Sequence, residues 1–356
     1  MSLIQSPTTQ GEGTHLHTIS IVIPVYQGET TLPSVIDELL PYTEPSRTAR
    51  GTEFQVSEIL LVHDNGPDAS DDTMRALAEA HPVVRPVWLS RNFGQHAATL
   101  AGMASTGGDW IVTMDEDGQH DPKFIADMLD TALTQQASLV YSMARNPPPH
   151  GFVRNLASVG AKRVLSSASG LKNAKDFQSF RLMLGSIGRS VAAYAGPNIY
   201  LDVALGWVTK DVATCPIDLR EEGDRPSGYN YKSLFGHFWR MFLTSGTRGL
   251  RAVSLLGVVA AIAGLVLTVV LVVAKLFFEP SLPSGWPSLM VALLIIGGAI
   301  LISLGMIAEY IGVNVNMAMG KPLYLIVPDP AAGPLGRARA QSGPQAGAEQ
   351  PARRDG

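Results

Sequence analysis

Directly after the apolar run Trp110–Met114, the chain turns acidic at Asp115, Glu116 and Asp117, followed by Gly118 and Gln119. In extended backbone, residues two apart face the same way. Asp115, Asp117 and Gln119 therefore line one side of the segment. Two carboxylates and an amide oxygen are hard donors suited to Mg2+ or Mn2+, and diphosphate oxygens and water would complete the octahedron. The competing reading is a solvated acidic turn. Three further polar clusters follow apolar runs in the same way. Pro24, Tyr26 and Glu29 follow the first run; an aromatic ring and a carboxylate there suit a base and a ribose. Asp64 follows the second, in the turn-forming stretch His63–Asp68, where a carboxylate could accept hydrogen bonds from a nucleobase or merely stabilise the turn. Arg91 follows the third, in Ser90–Gln95.

The elements that would hold these clusters alternate. The β-branched run Ile19–Val25 reads as a buried strand of a parallel sheet. Residues 30–40 carry helical spacing at Leu32, Val35, Ile36, Leu39 and Leu40. Strands are predicted over 56–62, 83–89, 110–114 and 138–142, and helices over 70–80, 96–104 and 124–135. Asp71 and Asp72 sit in the first turn of the second helix, where its dipole favours anions. This rhythm specifies an α/β fold, a mostly parallel sheet with helices on both faces. Ligands in such folds bind beyond the carboxyl ends of the strands, where the four polar clusters fall.

Charged residues make up only 16% of the chain, against the usual quarter or so, and the shortfall lies in the C-terminal third. No charged residue occurs over 252–274 or 289–308, and each run matches the roughly 20 apolar residues that cross a bilayer. The prediction is a transmembrane hairpin, with spans over 251–278 and 288–311. Lys232, Arg240, Arg248 and Arg251 precede it and Lys321, Arg337 and Arg339 follow it. By the positive-inside rule both termini are then cytoplasmic; Lys275, at the far end of the first span, snorkels to the headgroups. Over 227–250 the apolar positions Tyr231, Leu234, Phe235, Phe238 and Phe242 recur at helical spacing, as in an interfacial amphipathic helix or one packed on the preceding domain. Residues 1–18 read as a disordered lead-in without the pattern of a signal peptide, and 328–356 as a disordered tail. A net charge of −4 argues against nucleic acid as the main partner. The single cysteine, Cys215, reads as a small core residue.

The strand ends PVYQGE, VHDNGPD, SRNFGQ and DEDGQHDP, taken together, resemble family 2 glycosyltransferases of the GT-A fold. The nearer likeness is to the polyprenyl-phosphate, dolichyl-phosphate mannose synthase-like branch. SRNFGQ followed by D-x-D-x-Q, DFQSFRLM and two membrane spans is similar to bactoprenol glucosyltransferases and aminoarabinose-type transferases. The resemblance runs from about Ile19 to Tyr324, with the GT-A domain over 19–226. It implies that Pro24, Tyr26, Glu29, Asp64 and Arg91 hold the nucleotide and that Asp115 bridges donor and metal. Asp117 and Gln119 would ligate the Mg2+ or Mn2+. Asp176 and Arg181 would lie on the acceptor side, and Arg220, in an R-x-x-G element, would handle phosphate. Three departures stand out: Gln27 replaces the usual asparagine, Pro67 the usual serine, and Gly223–Tyr229 lacks the family lysine, so Arg225 shares or replaces the role of Arg220.

The activity that the resemblance implies is inverting transfer of a sugar from a nucleotide donor to polyprenyl (undecaprenyl) phosphate at the cytoplasmic face of the inner membrane, for cell-envelope glycan modification. A UDP-sugar is favoured over a GDP-sugar. A phosphate monoester is already largely dianionic at neutral pH, so no strong general base is required. Small residues Gly297, Gly298 and Ser303 would let helices of a homo-oligomer approach. Asp202 reads as a helix-end or turn aspartate. The rival readings are a processive polysaccharide synthase, whose Q-x-x-R-W element is missing, and a non-catalytic membrane scaffold.

Overall fold

The computed structural model describes residues 15–145, 178–196, 200–220, 285–334 and 336, with isolated positions between 257 and 273. The expected Asp176 and Arg225, the 227–250 segment and most of the first expected span lie outside the described residues.

The strands are β1 His17–Val25, β2 Ser46–Arg47, β3 Glu53–His63, β4 Val84–Leu89, β5 Trp110–Thr113, β6 Leu139–Ala144, β7 Arg181–Leu184, β8 Val212–Ile217 and β9 Ile326–Val327. The helices described are α1 Leu32–Leu39, α2 Ser70–Ala80, α3 Gln95–Ala104, α4 Phe124–Gln135, α5 Gly185–Tyr194, α6 Leu201–Val208 and α7 Trp286–Ala318, with a 3-10 turn over Leu40–Thr43. The sheet runs β8-β6-β7-β5-β1-β3-β4-β9, with β2 appended to β3. β1 lies parallel to β3 and β5, β3 to β4, and β6 to β8. This is the α/β fold with a mostly parallel sheet that the alternation of elements predicted, and it is GT-A-like, as the resemblance implied.

The alternation of side chains along β1 explains why both faces are covered. Ile19, Ile21, Ile23 and Val25 enter one core with Leu32 and Ile36 of α1 and Ile125, Met128 and Leu129 of α4. Val22 enters the other, with Ala98 and Ala101 of α3 and Val191 of α5. Each fully buried Ile or Leu contributes roughly 1.5–3 kcal/mol, so the central strands anchor everything mounted on their ends. The stripe Ile125, Met128, Leu129 and Ala132 has the i, i+3, i+4, i+7 spacing of a one-faced helix. Gln136, at φ 51°, ends α4 in the left-handed conformation.

Three strands depart from the parallel rule, the first being β2, a two-residue antiparallel edge on β3. β7 inserts antiparallel between β5 and β6, which carries Arg181, Leu182 and Met183 of the DFQSFRLM motif into the middle of the sheet. β9 pairs antiparallel with β4 through Trp88 with Val327 and Leu89 with Ile326. Beyond it, Arg75 Nε reaches Asp329 Oδ2 at 3.0 Å, with its guanidinium 4.9 Å above the Trp88 ring. Residues 328–334, expected within the disordered tail, are thus ordered at their start, because an ion pair and a strand edge tie them down.

Helix α7 covers the second expected span and has 33 residues, though part of its side chains lie outside the described set. Among the described residues no helix is long and apolar enough to cross a membrane.

Candidate active site

The turns after β1, β3, β4 and β5 are bonded to one another at the carboxyl edge of the sheet. The Asp64 N–H donates to the Val25 carbonyl at 2.8 Å. One turn further, a Cβ on Gly66 would stand 1.6 Å from the Tyr26 oxygen, so only glycine lets these two turns touch. Glu116 closes the third side. Its Oε2 accepts from the Tyr26 N–H and its Oε1 from the Gln27 N–H, both at 3.0 Å. The residue between the two expected metal ligands thus clamps the β1 turn to the acidic turn.

Asp64 is only 3% exposed. Its Oδ1 accepts from the Phe93 N–H at 2.7 Å and its Oδ2 from the Gly94 N–H at 2.8 Å. Burial pushes its carboxyl above the usual carboxylate range, against the pull of these two donors. The carboxylate expected to meet a nucleobase therefore also holds the Ser90–Gln95 loop. Within that loop Gly94 takes φ 92°, a conformation costly for any side chain. Arg91 is exposed, lies 4.1 Å over the Phe93 ring and donates to the Asn92 carbonyl at 3.0 Å.

Asp115 is gripped on both oxygens. Gln95 Nε2 donates to Oδ1 at 2.7 Å and Ser179 Oγ to Oδ2 at 2.6 Å. Its own N–H donates to His120 Nδ1 at 3.2 Å, and that ring stacks on Phe180 at 4.9 Å. Asp117 is exposed and Gln119 half-buried; Asp117 Oδ1 accepts from the Gln119 N–H at 3.0 Å, which closes the turn. Among the described residues no group of three or more His, Cys, Asp or Glu could hold a metal. The protein's share of the expected cation site would then be two carboxylates and one amide. That donor set fits a hard divalent ion whose other ligands are phosphate and water. The two donors on Asp115 are neutral, so they orient the carboxylate without quenching its charge.

Other expected residues are engaged elsewhere. Pro24 is half-buried at the end of β1, and Tyr26 is 44% exposed in the turn after it. Glu29 Oε2 accepts from the Ala69 N–H at 3.1 Å, at the start of α2. Arg181, expected on the acceptor side, is 4% exposed and is ion-paired with Asp202. The register explains this: β7 lies between β5 and β6, with Arg181 flanked by Thr113 and Tyr141. Asp202, read as a helix-end or turn aspartate, stands in the first turn of α6, is 2% exposed and also accepts from the Tyr141 hydroxyl at 3.0 Å. Arg220 donates its N–H to the Gln119 carbonyl at 3.2 Å, beside the acidic turn. Its guanidinium reaches Glu38 at 2.7 Å and Asp121 at 3.1 Å. The Glu38 bond raises the Arg220 pKa, on a guanidinium that is charged at any working pH.

Three residues that shape the site were not expected: Glu116, Gln95 and Ser179. Period two carried a signal for the first, since Glu116 must face away from Asp115 and Asp117, toward the β1 turn. Gln95 and Ser179 stand inside the SRNFGQ and DFQSFRLM motifs, but their contacts cross the sheet and have no local signature.

Residues 20–183 match the family model described as Glycosyl transferase family 2. Undecaprenyl-phosphate 4-deoxy-4-formamido-L-arabinose transferase of Salmonella choleraesuis (strain SC-B67) is 28% identical over 321 residues, covering 86% of this chain and 92% of the relative. The protein of that name from Yersinia enterocolitica serotype O:8 is 28% identical over 325 residues, covering 88% and 94%. Among solved structures, glucosyl-3-phosphoglycerate synthase from Mycobacterium tuberculosis in complex with Mn2+, uridine-diphosphate and glucosyl-3-phosphoglycerate is 20% identical, with a TM-score of 0.46 over 65% of this chain and 80% of that one. All four linked turns lie inside the matched residues, which are similar to glycosyl transferase family 2.

Proposed function

We propose that the protein transfers a sugar, hexosyl or aminopentosyl, from a nucleoside-diphosphate donor to polyprenyl phosphate, with inversion at the anomeric carbon. The observation that carries this reading is the convergence of four strand-end turns, hydrogen-bonded to one another around Asp115. Relatives matched along most of their length are named for transfer to undecaprenyl phosphate, which supports that acceptor.

Tyr26 and Asp64 would receive the nucleoside, with Pro24, Glu29 and Arg91 shaping the turns around it. Asp115, Asp117 and Gln119 would hold Mg2+ or Mn2+, which neutralises charge on the departing diphosphate. A phosphate monoester is nucleophilic without a strong base, so the chain's task is positioning and charge. Arg220 sits beside the acidic turn and would draw the acceptor phosphate in by exchanging Glu38 and Asp121 for it. Arg225, and Asp176 on the acceptor side, complete the expected set; Arg181 would act from behind, through its pair with Asp202. Residues 251–278 and 288–311 would form the membrane hairpin that keeps the domain at the cytoplasmic headgroup plane, where a polyprenyl chain must stay. Small residues on the second span would support a homo-oligomer.

The test is transfer of radiolabelled sugar from UDP-sugars to undecaprenyl phosphate in detergent with Mn2+, read as label extracted into organic solvent. Asp117→Ala is expected to abolish both extraction and metal-dependent UDP binding. Full activity of Asp117→Ala in EDTA would sink the reading.

A further inference from the structure

We propose that the Ser90–Gln95 loop couples the nucleoside end of the site to the cation end, with Gln95 as the positioning residue for Asp115. This rests on the donor reading above. Asp64 closes β3 and Asp115 follows β5, and β1 lies between those strands. The loop bridges that gap. At one end Asp64 holds the N–H groups of Phe93 and Gly94. At the other, the next residue along the chain places its amide on Asp115 Oδ1 at 2.7 Å.

The link between the two ends is stiff. Gly94 O accepts from the Ala98 N–H at 3.0 Å, and Gln95 O from Thr99 Oγ1 at 2.8 Å. The first turn of α3 is thereby fixed, and Ala97 to Met103 bury it in the core. A shift of the Asp64 carboxylate must move the Phe93 and Gly94 peptides, and with them the root of Gln95. Gln95 is exposed and does little packing. Its neutral amide orients a carboxylate while leaving the charge for a cation, which a lysine there would cancel.

The probe is inorganic pyrophosphate with Mn2+, which offers the diphosphate without a base. Binding is measured by calorimetry on the full chain, with UDP and Mn2+ in parallel. Gln95→Ala is expected to weaken Mn2+–pyrophosphate binding about tenfold, the usual scale for loss of a group that orients a metal ligand. Asp64→Asn is expected to weaken it similarly, although no base is present. The double variant should lose no more than about twofold beyond either single change, because both act through one contact. Thermal unfolding checks that each variant folds. If Asp64→Asn does not fold, Gly94→Ala, strained at its positive φ, replaces it with the same expected loss. Two results overturn the coupling: wild-type pyrophosphate binding in Asp64→Asn alongside lost UDP binding, or losses that multiply in the double variant. Wild-type protein that binds neither UDP nor pyrophosphate with Mn2+ would instead overturn the donor reading, and the coupling with it.

Discussion

The two ends of the sheet hold buried carboxylates in opposite ways. At the amino end Glu58, 8% exposed, accepts from Ser20 Oγ at 2.7 Å and the Gly107 N–H at 2.6 Å, and is ion-paired with Arg85. Burial opposes its charge, but Gly107, Ser20 and Arg85 together hold its carboxyl below the usual range. At the carboxyl end Asp64 also accepts two backbone N–H groups, yet burial wins and its carboxyl is pushed up. Two things differ: Asp64 is the more deeply buried, and Glu58 adds a bonded cation, Arg85, to its neutral donors. An ion pair finishes a carboxylate, whereas neutral donors fix its direction and leave its charge unspent. Asp115, between Gln95 and Ser179, is of the second kind. One end of the sheet is closed by an ion pair, whereas at the other the proposed function would give Asp115 a cation to hold.

The sharpest way to break that comparison is Asp115→Asn. The change keeps the side chain's shape but removes the charge that a cation would use. Turnover is expected to fall on the order of a thousandfold, several kcal/mol of lost charge stabilisation, while the thermal midpoint barely moves. A variant that unfolded without a specific loss of turnover would place Asp115 with Glu58 instead. The converse experiment is Glu58→Ala. It leaves Ser20, Gly107 and Arg85 without their acceptor, and stability measured in urea should drop by about 1–3 kcal/mol. Turnover per folded molecule should stay at the wild-type value.

A subtler change tests whether neutral donors matter at all. Ser179→Ala removes the hydroxyl from Asp115 Oδ2 and leaves the backbone of Ser179 in place, where its carbonyl still accepts from Thr113 Oγ1 at 2.6 Å. Turnover should fall about tenfold, with the deficit lessened by raised Mn2+. A deficit indifferent to Mn2+ would mean that the hydroxyl serves some other step.

How much of the molecule is legible in its sequence depends on how local the cause is. Helix α4 is legible to the residue, because its apolar stripe is strong and its end is forced at Gln136. The strands β1, β3, β4 and β5 are legible with ends displaced by a few residues, since buried parallel strands are continuous apolar runs. β7, β8 and β9 are not. β7 is four residues long and antiparallel to partners from distant parts of the chain, so nothing within it announces its place. β9 has two residues and exists only because β4 offers an open edge. The same divide runs through the site. The acidic turn and Asp64 are visible as carboxylates at strand ends. The burial of Arg181 is not, because it depends on the insertion of β7, and neither is the second task of Asp64.

The smallest expected effect concerns acid, and it separates the two ends by pH. His63, at the end of β3, is 7% exposed, lies edge-on to Trp88 at 5.4 Å and has no hydrogen-bond partner at Nε2. Burial, aided by Arg75, lowers its pKa against the pull of Asp71 and Asp68. The native state therefore binds fewer protons than the unfolded chain just below the ordinary histidine pKa of about 6.5. Stability rises with pH in that window, so its contribution is whole above about 6.5 and is lost as pH falls below it. Glu58, with its carboxyl held low, contributes stability that is whole above about 4.3 and is lost only below that. Acid should thus loosen the carboxyl end first. His63→Phe should flatten the urea midpoint between about pH 7 and 5, where the wild-type slope is at most about 1.4 kcal/mol per pH unit from this group. Asp64 is common to both proteins and cancels from the comparison. Parallel pH curves for wild type and His63→Phe would show that the buried ring takes up its proton without cost.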